Sequence, residues 1–526
     1  MHDADPRRWA VRGKLARRTT TKGGRHPQHR LTDDPPTTSY SVTPHHTLLG
    51  RRLASSSDLA VAPLQLRSCV LASHPPATPL GTTVFTAGSA TVPSIASFAV
   101  KFLGCKVSQA DAMLARTALL EAGHTEVPED EAELHVINTC CITSEAEAKS
   151  RQSVRRSLRA GPAGTARNVF VAGCAVNLRP AQFAEIDPAV RPFVGVAEDV
   201  ANSIAGELGA CVDLEHDVLA RASLAPAART RGFVKVQDGC DCHCAYCIIP
   251  TVRGEARSRP AGAVLNEVRR RVAQGQPEMV MTGISVGDYR DPERGLELGE
   301  LMIAVAKVPG VQRVRLSSVE VIHVKDSLLE ALATEPKVCP HLHVPMQSGD
   351  DCVLRDMGRH YTAAEYVDQI AALRAAVPDV NVTTDVIVGF PSEDEPAFGR
   401  TLEAIDAAGI TRVHAFSYSP RPGTVAAALG DLVSPDDKKR RSRELRGHAE
   451  VRSRHHRTRK LGLRERVLVD KVADTQCSGY TADYTRCYLP AGAGSRGEVV
   501  EVRCVELHAD GIRCEPTPAT GLSSLV

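Results

Sequence analysis

Directly after the strand-like run GFVKVQ the chain reads DGCDCHCAYCIIP, which places Cys240, Cys244 and Cys247 in a C-x3-C-x2-C array. Three thiolates are one fewer than the four protein ligands that close a structural zinc site. A [4Fe–4S] cluster held by three cysteines instead leaves one iron open to an external ligand. By spacing, Cys242 stands beside the array; as a fourth thiolate it would restore the closed zinc site, the blander alternative. GFVKVQ is also the first of six strand-like runs, followed by EMVMTGI, VRLSSVEV, HLHVPM, VNVTTDVIVGF and ITRVHAFSYS. Helical patterns such as AGAVLNEVRRRVAQG and AAEYVDQIAALRAAV lie between them. The alternation predicts a partial (βα)6 barrel, with function at the carboxyl ends of its strands.

Upstream, FAVKFLGC, LHVINTC and NVFVAGC alternate with the amphipathic stretches VSQADAMLARTALLEAGH and SEAEAKSRQSVRRSLRAG. This βαβαβ pattern predicts an open parallel α/β domain. The three runs end in Cys105, Cys140 and Cys174, and the carboxyl ends of strands in such a sheet line its ligand crevice. Three more thiols are therefore expected to meet at one edge. Buried cysteines are often only small apolar fillers, which is the alternative for any one of them. Cys141 adjoins Cys140 as a competing ligand.

Sixteen cysteines among 526 residues are too dilute for a disulfide scaffold and point to thiolate ligands in a reducing compartment, the cytoplasm. No uninterrupted apolar run reaches about 18 residues, so no membrane span is expected. The 64 Lys and Arg against 62 Asp and Glu exclude a uniformly basic nucleic-acid binder. The charge is local: residues 438–466 hold 13 Lys and Arg against three Glu. Alone, such a stretch is ordinarily a solvated helix face. Here it abuts RVLVD, RCYLPA, GEVVEVRCVEL and GIRCEP, short runs that predict a small OB-like β-barrel. Tyr480, Tyr484 and Tyr488 in SGYTADYTRCY suit base stacking on RNA beside those cations, or equally fill the barrel core. Residues 1–96, rich in Pro, Ser, Thr, His and Arg, carry 12 Lys and Arg against five Asp and Glu and read as a disordered basic extension. A transit segment or an over-extended start accounts for such a stretch. The expected limits are 97–225 for the parallel domain, 226–455 for the barrel and 456–526 for the tail.

The array, followed in order by RGEARSRP, HLHVPMQSGDDCVLRDMGRHYT, TTDVIVGFPSED and FSYSPRPGT, resembles the radical S-adenosylmethionine enzymes. LGCKVSQ, VINTCCIT and AGCAVN narrow the resemblance to the methylthiotransferases, over about four fifths of the chain from residue 98 onward. Ser108, Cys141 and Ser392 depart from the usual pattern. The resemblance implies two [4Fe–4S] clusters: one on Cys240, Cys244 and Cys247, whose open iron takes S-adenosylmethionine, and an auxiliary one on Cys105, Cys140 and Cys174 that handles the inserted sulfur. Tyr246 occupies the position of an aromatic residue near the adenine. Gly283, Ser318, Glu320, Gln347 and Asp385 are the implied S-adenosylmethionine contacts, although polar residues at strand ends often only satisfy loop backbone or water. The tail resembles the TRAM domain, an RNA-binding barrel.

The implied reaction replaces the C2–H of an adenine by a methylthio group, a carbon that no side-chain acid or base activates, so a radical cofactor carries the chemistry. The implied partners are a tRNA anticodon stem-loop, a reducing electron donor and a sulfur source, with no membrane. GCKVSQ, NTCCIT with EAEAKSRQ, and GYTADY most resemble the bacterial branch acting on N6-threonylcarbamoyladenosine at tRNA position 37. The alternatives are the isopentenyladenosine branch, a branch acting on an aspartate of a ribosomal protein, and a non-catalytic iron–sulfur RNA-binding protein.

Overall fold

The computed structural model describes residues 97–159, 167–209 and 229–517. The expected basic extension 1–96 and most of the joint near 215–230 lie outside the described residues. The first sheet contains β1 (Ser97–Phe102), β2 (Thr125–Glu126), β3 (Leu134–Thr139), β4 (Asn168–Gly173) and β5 (Val190–Pro192), all parallel, in the order β2-β1-β3-β4-β5. All six residues of β3 are buried, as expected of a parallel strand covered on both faces. On one face α1 (Lys106–Glu121) and the helix Ala197–Glu207 pack Leu119 and Ile204 against Phe98, Leu134 and Phe170. On the other, Val154 of α2 (Ser144–Leu158) meets Ile137, Val169 and Val171. The Thr143 hydroxyl caps α2 by accepting from the Ala146 amide at 3.1 Å. The edge strands β2 and β5 have no counterpart among the expected strands because two and three residues are too short to show a period.

The six expected runs form β6 (Arg231–Lys235), then, after the two-residue ribbon of β7 (Gln237–Asp238) and β8 (Arg257–Ser258), β9 (Glu278–Thr282), β10 (Arg313–Leu316), β11 (His341–His343), β12 (Asn381–Val388) and β13 (Arg412–Ser417). Two parallel trios, β6-β9-β10 and β11-β12-β13, join through the Ser318–His343 bridge into one open, partial barrel. Alternation along the strands sorts the faces. Val234, Met279, Met281, Val314, Leu342, Val382 and Val413 enter the core under the surrounding helices. The intervening positions, including Glu278, Arg315, His341, His343, Thr383, Asp385 and His414, face the lumen.

The tail forms a closed barrel of β14 (Arg464–Val472), β15 (Gln476–Tyr480), β16 (Arg486–Pro490), β17 (Val499–His508) and β18 (Gly511–Pro516). Cys477, Cys487, Cys504 and Cys514 fill its core with Val467, Val469, Leu489, Val502 and Ile512. The strand β15 is not among the expected runs, because QCSGY has no apolar alternation. The helix Pro435–Arg459 leads into this barrel, which closes the amino-terminal end of the larger one. Arg313 donates to the Tyr480 carbonyl at 2.7 Å, Arg315 to those of Thr481 and Ala482 at 2.6 Å, and the Asn381 amide to that of Asp483 at 2.8 Å. The chain is thus a mixed α/β protein with an open parallel domain, a partial barrel and a small closed β-barrel, as its sequence predicts. Among the described residues no helix is long and apolar enough to cross a membrane.

Candidate active site

Three strands of the first sheet deliver Cys105, Cys140 and Cys174. The Leu103 amide donates to the Asn138 carbonyl at 2.9 Å and the Asn138 side chain to the Ser108 carbonyl at 2.7 Å, fastening the Cys105 loop to β3. The Cys140 amide donates to the Ser150 hydroxyl of α2 at 3.0 Å. Gly173 has φ +91°, and a Cβ there would lie 2.1 Å from the Asn138 side-chain oxygen, so β4 turns into Cys174 only through glycine. Burial pushes the Cys140 thiol up to about 11, and Cys174 and Cys105 act in the same direction, so the three sulfurs share one neighbourhood. Cys141 is buried beside them and hydrogen-bonds Cys174, which raises its own thiol well above the usual range and lowers that of Cys174.

The second set rides on a loop clamped from three sides. The Cys240 amide donates to the Gly254 carbonyl at 3.1 Å, the Ala245 amide to that of Met357 at 2.9 Å, and the Ala426 amide to that of Ala245 at 2.7 Å. Gly239, at φ +72°, passes so close to the Glu255 carbonyl that a Cβ would sit 1.8 Å from its oxygen. Burial pushes Cys247 up to about 11 and, with Cys240, Cys244 and Asp288 adding to it, Cys242 up to about 12. The Cys242 amide donates to the Cys240 sulfur at 3.4 Å. Arg359 donates to the Cys244 sulfur at 3.2 Å and pairs with Glu320.

One segment joins the two sets. After Cys247, Ile248 and Val252 insert into the core of the parallel domain beside Cys141 and Cys174. Arg253 then donates to the Cys174 sulfur at 3.2 Å, to Asp238 at 2.9 Å and to Asp111 of α1 at 2.8 Å. Lys235 meets the same two carboxylates at 3.1 and 2.9 Å and Glu198 at 3.1 Å. Burial works against charge on Asp238, but Lys235 and Arg253 outweigh it and hold the carboxyl at about 2. A cavity of about 320 Å³ lies at this junction, lined by Asn138, Cys174, Asn177, Asp238, Arg253 and Arg257 among others. On the far side, Arg421 reaches Glu147 of α2 at 2.5 Å and Ser144 at 3.0 Å.

The remaining expected contacts lie around the carboxyl ends of β9 to β12. Gly283 sits against Gln237, whose side chain accepts from the Ser285 amide and donates to the Gly239 carbonyl, both at 2.8 Å, locking the first two loops together. Ser318 bridges to His343, and Glu320 reaches the array through Arg359. Gln347 adopts φ +65°, a strained conformation for a side-chain-bearing residue, and its amide donates to the Asp385 carbonyl at 2.9 Å. The Asp385 carboxylate is 3.0 Å from His343 Nε2. Tyr246 packs, half-buried, with Val353, Met357 and Phe390. The structure adds Arg253, Arg359, Arg421 and His343, which stand inside the motif segments but whose partners are far away in sequence.

Residues 97–195 match the Uncharacterized protein family UPF0004 and residues 234–405 the Radical SAM superfamily. The threonylcarbamoyladenosine tRNA methylthiotransferase of Thermotoga maritima is 35% identical over 422 residues, covering 78% of this chain and 95% of its own. The chain belongs to the radical SAM tRNA methylthiotransferases. The corresponding Bacillus subtilis protein is 32% identical over 78% of this chain and 94% of its own. The tRNA-2-methylthio-N(6)-dimethylallyladenosine synthase of Alkalilimnicola ehrlichii is 32% identical over 79% and 96%.

A radical SAM methylthiotransferase uses S-adenosylmethionine and [4Fe–4S] clusters, and the donor sets here fit them. Among the described residues no three His, Cys, Asp or Glu side chains converge on a single-ion site. A cluster instead spreads its thiolates over separate irons. Thiols raised by burial ionise when a metal centre supplies the compensating charge. The tyrosines of the tail are largely engaged within the protein: Tyr484 stacks on Tyr480 at 4.8 Å and meets His341 at 4.9 Å, while Tyr488 is buried.

Proposed function

We propose that this methylthiotransferase inserts a methylthio group at C2 of N6-threonylcarbamoyladenosine at position 37 of tRNA. The observation that carries the chemistry is Arg253, which hydrogen-bonds Cys174 and also Asp238, two residues before Cys240; the similarity to three threonylcarbamoyladenosine enzymes supports the branch. In this reading Cys240, Cys244 and Cys247 hold the cluster that binds S-adenosylmethionine, and Cys105, Cys140 and Cys174 hold the auxiliary cluster. Together these groups supply the radical and the sulfur that an adenine C–H requires. The chain's own part is placement. Arg359 orients Cys244 and Glu320, Arg253 sets Cys174 against the barrel, and Tyr246, Gly283, Ser318, Glu320, Gln347 and Asp385 surround S-adenosylmethionine. The parallel domain covers the barrel mouth and excludes water, while the basic helix and the small barrel hold the anticodon loop with its adenosine unstacked. A low-potential electron donor and a sulfur source complete the system, and the cytoplasm brings tRNA together with reduced thiols.

The test is mass spectrometry of tRNA nucleosides from cells lacking the protein, complemented with wild type, Cys244→Ala or Cys140→Ala. Only wild type should restore methylthio-threonylcarbamoyladenosine. Restoration of the methylthio-dimethylallyl nucleoside instead would keep the reaction and replace the substrate. Restoration of neither would turn the search to a protein substrate or a non-catalytic role.

A further inference from the structure

Among the described residues the barrel lumen contains one cation, Lys106, whose ammonium forms neither a hydrogen bond nor an ion pair. Glu278 is engaged by Arg315 at 2.9 Å, and Asp385 by His343, whose other ring nitrogen meets the Thr383 hydroxyl at 2.9 Å. Arg231 is held by the Tyr484 hydroxyl at 2.8 Å and by Asp470 at 3.3 Å. Arg315 is consumed by Glu278 and the carbonyls of the small barrel. Lys106 enters this space from the other domain. It is the first residue of α1, next to Cys105, and its charge interacts with Tyr484, Arg231, Arg315, Asp385, His341 and His414, which belong to β6, β10, β11, β12, β13 and the tail. Its side chain is exposed to the open space yet walled by these elements, and its ammonium has no hydrogen-bond or ion-pair partner among the described residues. The one carboxylate that acts on it, Asp385, is already hydrogen-bonded to His343. A cation so placed favours an anionic ligand.

We infer that Lys106 binds the carboxylate of the threonylcarbamoyl side chain of the target adenosine and thereby selects an acidic N6 substituent over an apolar one. The inference rests on the substrate proposed above. C2 and the carbon bearing N6 both flank N1, so an adenine that presents C2 near Cys105 carries its N6 substituent on that same edge, and the inference places this substituent at Lys106, the next residue. An apolar substituent would leave the ammonium unpaired and partly desolvated, which disfavours that substrate by a repulsive as well as an attractive element.

The experiment uses the reconstituted full-length holoenzyme, Lys106→Gln and Lys106→Arg, with iron and sulfide content confirming intact clusters. The probes are anticodon stem-loops carrying threonylcarbamoyladenosine, its side-chain methyl ester, dimethylallyladenosine or unmodified adenosine. Wild type should bind the acid about tenfold or more tighter than the ester, as a charge-assisted hydrogen bond provides. Lys106→Gln should lose that preference and Lys106→Arg keep most of it, with affinity for unmodified RNA and for S-adenosylmethionine unchanged. Persistence of the preference in Lys106→Gln overturns the inference. So does an equal loss on all four RNAs, which marks a phosphate contact, or a loss confined to S-adenosylmethionine. Wild-type enzyme that methylthiolates only the dimethylallyl stem-loop would instead bring down the substrate reading itself.

Discussion

The guanidinium of Arg253 stands 3.2 Å from the sulfur of Cys174 while its other two nitrogens bind Asp238 and Asp111. One side chain therefore fixes a thiol of the parallel domain to the residue two before Cys240. Replacing Arg253 by Met leaves two buried carboxylates with Lys235 as their main cation, and breaking a buried pair in this way costs about 3–5 kcal/mol. Chemical denaturation should register that loss. Iron content should fall toward half, and methylthio product should disappear while some S-adenosylmethionine cleavage persists. Full iron content with full product formation would refute the bridging role.

Arg359 touches both the array and a proposed cofactor contact, through Cys244 at 3.2 Å and through Glu320. Arg359→Gln removes the charge from both. The expected result is an apparent affinity for S-adenosylmethionine weakened by about tenfold or more, with a matching fall in 5′-deoxyadenosine formation. Arg359→Lys should recover only part of this, because an ammonium cannot serve the thiolate and the carboxylate with a planar fork. Isothermal titration of the holoenzyme variants gives the affinity directly, and unchanged binding in Arg359→Gln would separate this residue from the cofactor.

The Cys240, Cys244 and Cys247 array was legible because its spacing is local, Cys105, Cys140 and Cys174 because each ends a strand-like run, and the barrel strands because each is a run of apolar residues followed by a polar loop. The ion network behind them was not. Lys235 finds Asp111 across 124 residues and Arg253 finds it across 142, distances over which sequence carries no period. The basic stretch 438–466 is recognisable as charge but not as a divided one. Arg441 is bound to Glu393 at 2.7 Å, Arg452 to Asp406 at 2.7 Å and Lys460 to Asp483 at 2.8 Å, so part of what looks like a surface for RNA braces the helix against the barrels. Tyr484 reads as an available aromatic in GYTADY, yet its φ of +67° and its contacts with Tyr480, His341 and Arg315 commit it to the joint between barrels. Such pairings depend on strand order, which only the folded chain supplies.

Glu267 makes a pH prediction away from the cysteines. It is buried between Arg259 at 2.7 Å and Arg271 at 2.6 Å. Burial works against its ionisation, but the two arginines outweigh that and hold the carboxyl at about 2, below its ordinary 4.5. A depressed carboxyl stabilises the fold fully above its unfolded value and loses that contribution as pH falls toward the folded value. Stability should therefore decline between about pH 4.5 and 2, by roughly 3 kcal/mol from this group. In Glu267→Gln this part of the acid loss should vanish, on a baseline already lowered by two unpaired arginines. An unaltered acid profile in denaturation curves would show that other carboxyls govern it.

On the helix Pro435–Arg459, Lys439, Arg443 and Arg454 are exposed and have no carboxylate partner among the described residues, in contrast to Arg441, Arg452 and Arg457. Arg464 and Arg466 continue this unpaired charge onto β14. Removing the unpaired group should cost RNA affinity with little effect on folding, because exposed charges contribute little to stability. The triple substitution Lys439→Gln, Arg443→Gln, Arg454→Gln is expected to weaken binding of every tRNA alike and to flatten the dependence of log K on log salt by about 0.7–0.9 for each phosphate that is no longer neutralised. Binding titrations between low and physiological salt measure that slope. Weaker binding with the slope preserved would mean that these side chains do not act through ionic pairing, and an unchanged affinity would move the tRNA to another face of the molecule.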